Sequence, residues 1–415
     1  MPTKKKIPEI RFKGFEGEWE EKRLGDLGET FVGLSGKTKE DFGHGMGRFI
    51  TYMNVFSNTI TNPNDVDLIE MDSSQKMVQK GDVFFTTSSE TPDEVGMSSV
   101  LMHDCNNTYL NSFCFGFRPI YDINKLYLAY MLRSAKTRKR ITFLAQGISR
   151  YNISKNRVMD ILVSIPEIHE QSKIGSFFQN LDSLISDHQR RYDKLTAVKK
   201  SMLEKMFPKD GADVPEIRFK GFTGKWERIR LGELCESLEY GLNAAAVEYD
   251  GVNKYLRITD IDDMSHRFNL CDITSPDTDI NLSDKYLLYT GDLVFARTGA
   301  SVGKTYIYEE SDGKVYFAGF LIRARILSDI NSYFVFINTL TKTYRNFVDL
   351  TSQRSGQPGI NAQEYSQYEF YLPKYDEQSK IASFFQQLDS LIALQKREIE
   401  KLKAVKRACL ERMFI

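Results

Sequence analysis

The chain has 415 residues, 41% of them apolar and 27% charged, and 56 Lys+Arg against 56 Asp+Glu give a formal net charge of zero. This is ordinary globular composition for two or three domains, too apolar for a disordered chain and without the run of about 20 apolar residues that spans a bilayer. The start, Met1-Pro2-Thr3-Lys4-Lys5-Lys6, lacks the apolar stretch of a signal peptide, and five cysteines without a Cys-x-x-Cys pair argue against a disulfide framework or a zinc knuckle, so a cytoplasmic protein with free thiols is expected.

The first element in chain order is one half of a repeat. Residues 8–27, opening Pro8-Glu9-Ile10-Arg11-Phe12-Lys13-Gly14-Phe15, agree with residues 215–234 at 15 of 20 positions, including Trp19/Trp226 and Leu24-Gly25/Leu231-Gly232. A second block, 170–207, matches 377–414 at 24 of 38 positions with the same offset of 207. A period this long means that each unit is a domain and not a solenoid repeat. Between the shared blocks lie divergent inserts with few anchors: Lys80-Gly81-Asp82-Val83-Phe84 against Thr290-Gly291-Asp292-Leu293-Val294, and Gly147-Ile148 against Gly359-Ile360.

In the first insert, Asp82–Thr87 reads as a buried strand behind a Gly-Asp turn and Leu126–Arg140 as a helix. Met131 to Arg157 then carries eight basic residues and no acidic one: Arg133, Lys136, Arg138, Lys139, Arg140, Arg150, Lys155 and Arg157, with Tyr151 and Asn152 inside the run. Arg and Lys neutralise phosphates and Asn reads base edges, so this run is a candidate nucleic-acid surface, weighed against a merely solvated helix face. The balance of charge over the whole chain thus hides a local bias.

Residues 170–207 and 377–414 read as long helices. Alternating steps of four and three place Ile174, Phe178, Leu181, Ile185, Leu195 and Met202 on one seam, and Ile381, Phe385, Leu388, Ile392, Leu402 and Met413 on its counterpart, with polar breaks at His188/Gln395 and Lys199/Lys406. Seams sustained this long argue for pairing as a coiled coil, in which 38 residues extend roughly 57 Å as a rigid spacer. Lys209-Asp210-Gly211-Ala212-Asp213 reads as a linker.

The second insert has a strand signal at Leu293–Ala296, followed by the glycine-containing loop Arg297-Thr298-Gly299-Ala300-Ser301-Val302-Gly303-Lys304. Arg323, Arg325, Arg345, Arg354 and Gln357 are candidates to join that loop in binding, against the alternative of an ordinary glycine turn. Tyr306-Ile307-Tyr308 and Val315-Tyr316-Phe317 flank Ser311-Asp312-Gly313-Lys314 and predict a hairpin; Tyr333–Leu350 predicts a helix. No catalytic constellation emerges. Gly33-Leu34-Ser35-Gly36-Lys37-Thr38 has Phe31 where a P-loop needs glycine, no Pro-Pro pair exists for an amino-methyltransferase motif, and the five His show no metal-binding spacing.

This order of segments resembles the specificity subunit of a type I restriction–modification system over essentially the whole chain. The residues that carry the resemblance are the paired openings at Trp19 to Leu27 and Trp226 to Leu234, and the strand and loop Gly291 to Gly299. With them go Glu170-Gln171-Ser172-Lys173-Ile174 and Glu377-Gln378-Ser379-Lys380-Ile381, each followed by Leu-Asp-Ser-Leu-Ile at 181–185 and 388–392. The first insert departs from the pattern, with Thr87-Ser88-Ser89 followed by Glu90, Asp93 and Glu94, an acidic loop poorly suited to phosphate.

The resemblance implies an α+β fold of two tandem pseudo-symmetric α/β target recognition domains separated by two long helices packed as an antiparallel coiled coil. The expected boundaries are 1–165 and 215–372 for the recognition domains, 166–207 and 373–415 for the helices, and 208–214 for the linker. It also implies double-stranded DNA as ligand, two modification (methyltransferase) subunits and restriction (translocase/nuclease) subunits as partners, and no membrane. S-adenosylmethionine, ATP and Mg would belong to those partners, with no cofactor or metal in this chain. The expected DNA contacts are Arg133, Lys136, Arg138, Lys139, Arg140, Arg150, Tyr151, Asn152, Arg297, Thr298, Lys304, Arg323, Arg354 and Gln357. Rival expectations are a non-enzymatic protein scaffold and, discounted by spacing, a P-loop hydrolase.

Overall fold

In the computed structural model, which describes residues 6–209, 211–354 and 356–415, the chain forms two units. One comprises Met1–Gln189 with Arg397–Ile415, the other Arg190–Lys396. The division falls inside the two long helices, Ile168–Lys205 and Tyr375–Arg412. The described residues of the segment 208–214, expected as a linker, fall in the second unit, and Pro208 is buried there. Asp210 of that segment, and the start Met1–Lys5 searched for a signal peptide, lie outside the described residues.

Each unit is built on an antiparallel four-stranded sheet. In the first the order is Gly28–Val32, Cys114–Pro119, Val83–Thr86, Ser98–Val100, with Val83 opposite Phe117 and Phe85 opposite Phe115. In the second it is Cys235–Tyr240, Leu321–Ile326, Leu293–Ala296, Thr305–Ile307, with Leu293 opposite Ala324. The Gly-Asp turns that precede the central strands are fixed by charge. Asp82 and Asp292 each accept a backbone N–H in the turn, from Gln79 and Tyr289, and each takes a two-pronged bond from an arginine, Arg118 and Arg325.

Two expectations fail in instructive ways. Thr305–Ile307 and Val315–Phe317 do not form a hairpin: the first completes the four-stranded sheet, and the second runs parallel to Lys254–Leu256. The turn between them is a short helical turn at Glu310–Asp312. Second, each single predicted helix is two. Lys125–Arg133 gives way to Ala135–Thr142 at Ser134, and Ser332–Asn338 to Lys342–Thr351, with Thr341 capping the second piece. Ser134 and Thr341 sit at the repeat offset, and each hydroxyl accepts the N–H three residues on.

The Glu-Gln-Ser opening of each long helix binds outward with all three side chains. Glu170, fully buried, takes both Nε and Nη2 of Arg11 at 2.7 and 2.8 Å, and Glu377 takes Arg218 in the same way at 2.7 Å for both. Gln171 accepts the N–H of Asn124 and donates to the Pro166 carbonyl; Gln378 does so with Asn331 and Pro373. Ser172 and Ser379 accept from the side-chain amides of the same two asparagines. One tripeptide thus ties the N-terminal segment, the recognition-domain helix and the long helix together. Gly175 follows because a Cβ there would lie 2.7 Å from Cβ of Leu126.

Each unit also contains one end of each long helix, and the two ends pack antiparallel. In the first unit Ile174, Phe178 and Leu181 share a core with Met413 and Phe414, and Leu402 packs on it. In the second Ile381, Phe385 and Leu388 share a core with Met206 and Phe207, flanked by Leu195 and Met202. Ile185 and Ile392, expected on the same seam, are half-buried and belong to neither core. Every recognition fold is therefore completed by the helix end that the other repeat encodes.

Candidate nucleic-acid interface

Three segments meet at one end of each four-stranded sheet. In the first unit Thr87, just past the central strand, donates its N–H to the Phe113 carbonyl at 2.9 Å and accepts from Ile153 at 2.9 Å. In the second Arg297 donates to Phe320 at 3.1 Å and accepts from Ile360 at 2.9 Å. Ile153 and Ile360, both buried and both followed by a short helix (Lys155–Met159, Ala362–Ser366), are the true counterparts. The expected match of Gly147-Ile148 with Gly359-Ile360 is therefore out of register, since Ile148 is almost fully exposed.

The basic run divides in two on folding. Arg133 spends its guanidinium on the carbonyls of Ser98, Val55, Phe56 and Asn58, and Arg138 on those of Gly96, Asp93 and Val95. Burial pushes both groups down to about 10, and the neighbouring charge of Arg138 adds to the effect at Arg133. Arg140 bonds the Leu162 carbonyl. Arg133 and Arg138 are thus removed from the contact surface by desolvation and internal bonding. Lys136 and Lys139 are exposed on the helix Ala135–Thr142.

Arg150, Tyr151 and Asn152 do come together at the sheet end. Tyr151 and Asn152 pair as a short strand with Ser89 and Ser88, and exposed Arg150 donates to the Ser88 hydroxyl at 3.2 Å, its guanidinium 5.9 Å from the Phe113 ring centre. The acidic loop curls beside them into the turn Pro92–Glu94, with Glu94 held by Thr91 and Ser89.

In the second unit Arg297 lies over the Tyr240 ring at 4.9 Å and reaches the Gly319 carbonyl at 3.4 Å. Thr298 bridges to Gly359, and the Gln357 amide lies against Gly299, whose φ of +76° suits glycine. These form the counterpart surface. Arg323 does not join it: at 2% exposure it bonds Glu239 and the carbonyls of Lys285 and Leu287. Lys304 is likewise occupied, by the Ile261 carbonyl at 3.0 Å and Asp263 at 2.5 Å. Arg325 holds Asp292, Arg345 reaches the Leu340 carbonyl, and Arg354 bonds Glu364 and two neighbouring carbonyls.

Sequence reasoning missed Tyr240, Phe113 and Phe320, exposed aromatics at these two sheet ends. The signal for the two phenylalanines was their separation by the repeat offset inside otherwise divergent inserts. Among the described residues no group of three His, Cys, Asp or Glu is placed to hold a metal, and no helix is long and apolar enough to cross a membrane.

Comparison with known proteins adds to this geometry. The family described as the type I restriction modification DNA specificity domain matches residues 16–197 and again 223–404. The type I restriction enzyme MjaVIII specificity subunit of Methanocaldococcus jannaschii is 22% identical over 295 residues, covering 69% of this chain and 68% of its own. The putative MjaX specificity subunit of the same organism is 21% identical over 436 residues, covering 94% and 91%. Among solved structures, the type I restriction-modification S subunit from M. genitalium aligns over 99% of both chains with a TM-score of 0.62 at 14% identity. A chain from a structure on complex assembly and conformational transition of the type I R-M system aligns over 94% and 96%, with a TM-score of 0.52 at 17% identity.

Proposed function

Since the chain belongs to the type I restriction–modification DNA specificity family, as a specificity subunit with two repeated recognition domains, we propose that each unit reads one half of a bipartite, asymmetric site in double-stranded DNA. The reading surface is the sheet end: Tyr151 and Asn152 beside Arg150 in one unit, Thr298 and Gln357 beside Arg297 in the other, with the two arginines, Lys136 and Lys139 meeting phosphates. One observation carries this reading. The two units present the same three-segment scaffold and fill it with different polar side chains, which is what two different half-sites require.

The family is that of a generally non-catalytic subunit. In the proposed assembly the long helices set the spacing between half-sites and dock two modification subunits. Those subunits bind S-adenosylmethionine and methylate adenine, and restriction subunits add ATP- and Mg-dependent translocation and cleavage. This chain needs no cofactor for its part, and DNA as ligand places its work in the cytoplasm. Its net charge of zero leaves part of the electrostatic grip on DNA to the partners. Selection of duplexes from a random pool by the chain with its modification partner tests the reading. Two short motifs at a fixed separation support it; a single contiguous motif, or none, overturns it.

A further inference from the structure

Residues 108–119 and 315–326 occupy the same places in the two inserts without a gap. Thr108–Leu110 and Val315–Phe317 each run parallel to a strand, Arg48–Ile50 and Lys254–Leu256, and Cys114–Pro119 and Leu321–Ile326 each lie second in the four-stranded sheet. Over this stretch only three residues are identical: Tyr109/Tyr316, Phe113/Phe320 and Arg118/Arg325. Two of these pairs have work inside the fold. The tyrosines are fully buried, and the arginines close the bonds to Asp82 and Asp292. The phenylalanines belong to no buried core and stand 54% and 63% exposed.

Single exposed apolar side chains are common and need no explanation. Recurrence in one topological slot of two divergent inserts does need one, and the surroundings supply it. The backbone of each phenylalanine is pinned, its carbonyl held by the N–H of Thr87 or Arg297 and, for Phe113, its own N–H bound to the Asn111 side chain at 2.8 Å. An arginine accompanies each: the Arg150 guanidinium stands beside the Phe113 ring, and Arg297, bonded through its backbone to the Phe320 carbonyl, turns its guanidinium toward the carbonyl of the preceding Gly319. A phenyl ring held rigid in water beside a cation matches the chemistry of a base step, where the ring stacks or wedges and the cation meets the phosphate.

We propose that Phe113 and Phe320 are base-contacting wedges, one for each half-site, which stack on or between bases of the target duplex and restrict the step each unit accepts. This rests on the DNA reading above and names the residue that deepens it. Such a wedge favours easily unstacked pyrimidine–purine steps.

The test uses the full chain with its modification subunits and duplexes enriched from a random pool, with 2-aminopurine placed at successive positions of one half-site. Phe113→Ala weakens binding by roughly 5- to 150-fold, the equivalent of one stacked base, and relaxes the motif in one half only. It leaves the dependence on salt unchanged, because no phosphate contact is lost. Wild type changes 2-aminopurine fluorescence at one position, Phe113→Ala does not, and Phe113→Tyr, which keeps the ring, does. Binding, motif and fluorescence unaltered in Phe113→Ala overturn the wedge while a loss in Arg150→Ala leaves the DNA reading standing. Loss in both the Ala and Tyr variants, or impaired capture of the modification subunits by Phe113→Ala, also overturns the wedge. Undiminished binding by both Arg150→Ala and Arg297→Ala overturns the DNA reading itself.

Discussion

Lys199 places its ammonium 2.6 Å from the Asp389 carboxylate, and Tyr333 donates its hydroxyl to the same carboxylate at 2.8 Å. Lys406, Asp182 and Tyr130 repeat the arrangement at 2.5 and 2.8 Å, the lysine and the aspartate at the repeat offset and the tyrosine one helical turn out of it. In both cases the lysine comes from one repeat and the aspartate and tyrosine do not sit on its own helix. The lysine that breaks the apolar seam therefore fixes the register in which a helix end completes a unit.

Removing the lysine leaves the aspartate in a poorly hydrated site. Lys199→Met should cost about 1–3 kcal/mol of stability in the second unit, measured by urea denaturation. In a cycle with Asp389→Asn the two losses should be non-additive. Additive losses would show that the pair is only a surface contact.

Arg11 and Glu170 make a stronger case, because Glu170 is fully buried and Arg11 is its charged partner. Arg11→Ala should destabilise the first unit by about 3–5 kcal/mol, and Arg218→Ala the second by a similar amount through Glu377. Hydrogen exchange resolves which unit loosens in each variant. Loosening of the wrong unit, or none, would contradict the anchoring role of the Glu-Gln-Ser tripeptide.

His266 gives the second unit a dependence on pH. Burial holds its imidazole below the usual 6.5, despite a hydrogen bond to the Thr305 carbonyl that pulls the other way. The unfolded chain therefore binds the proton more tightly, and stability falls as pH drops through the unfolded value. His266 has φ of 54°, which Asn also tolerates. Urea midpoints at pH 7.5 and 5.5 should differ less in His266→Asn than in wild type; an equal difference would assign the acid sensitivity elsewhere.

The first repeat alone carries a unit lacking the helix end it needs and a helix end, Lys199 to Phe207, equivalent to the missing one. Residues 1–207 should consequently self-associate as a dimer, and Lys199→Glu should prevent it by setting two carboxylates together. Sedimentation reads the outcome directly. A fragment that stays monomeric with its modification partner present would weaken the pairing account.

Much of this organisation was legible in the sequence because it is written twice at one offset. The frame, both long helices and the Gly-Asp strands follow from that repetition and from the apolar spacing. What the sequence concealed depends on distant partners. No local pattern shows that Val315–Phe317 finds its neighbour at Lys254–Leu256 and not across the preceding turn. The acid-free run looked uniform, yet Arg133 and Arg138 turn inward to carbonyls while Arg150 turns outward, a distinction set by the packing of other segments. Gly147 and Gly359 point to Ile148 as the counterpart of Ile360, whereas packing buries Ile153 in that place and leaves Ile148 exposed.

The division within that run yields its own test. Neutralising Lys136, Lys139 and Arg150 should each reduce the slope of log affinity against log salt by roughly one unit. Arg133→Ala and Arg138→Ala should instead lower the melting temperature. The reverse pattern, measured by titration and thermal unfolding, would relocate the surface.

The most direct measurement is the base-resolution map of adenine methylation in cells that carry this chain with its modification subunits. The account predicts methylation confined to one non-palindromic motif of two short blocks at fixed separation. It further predicts that exchanging the segment from Gly81 to Ile153 for that of another specificity subunit changes one block alone. A single contiguous motif, or two blocks that change together, would contradict it.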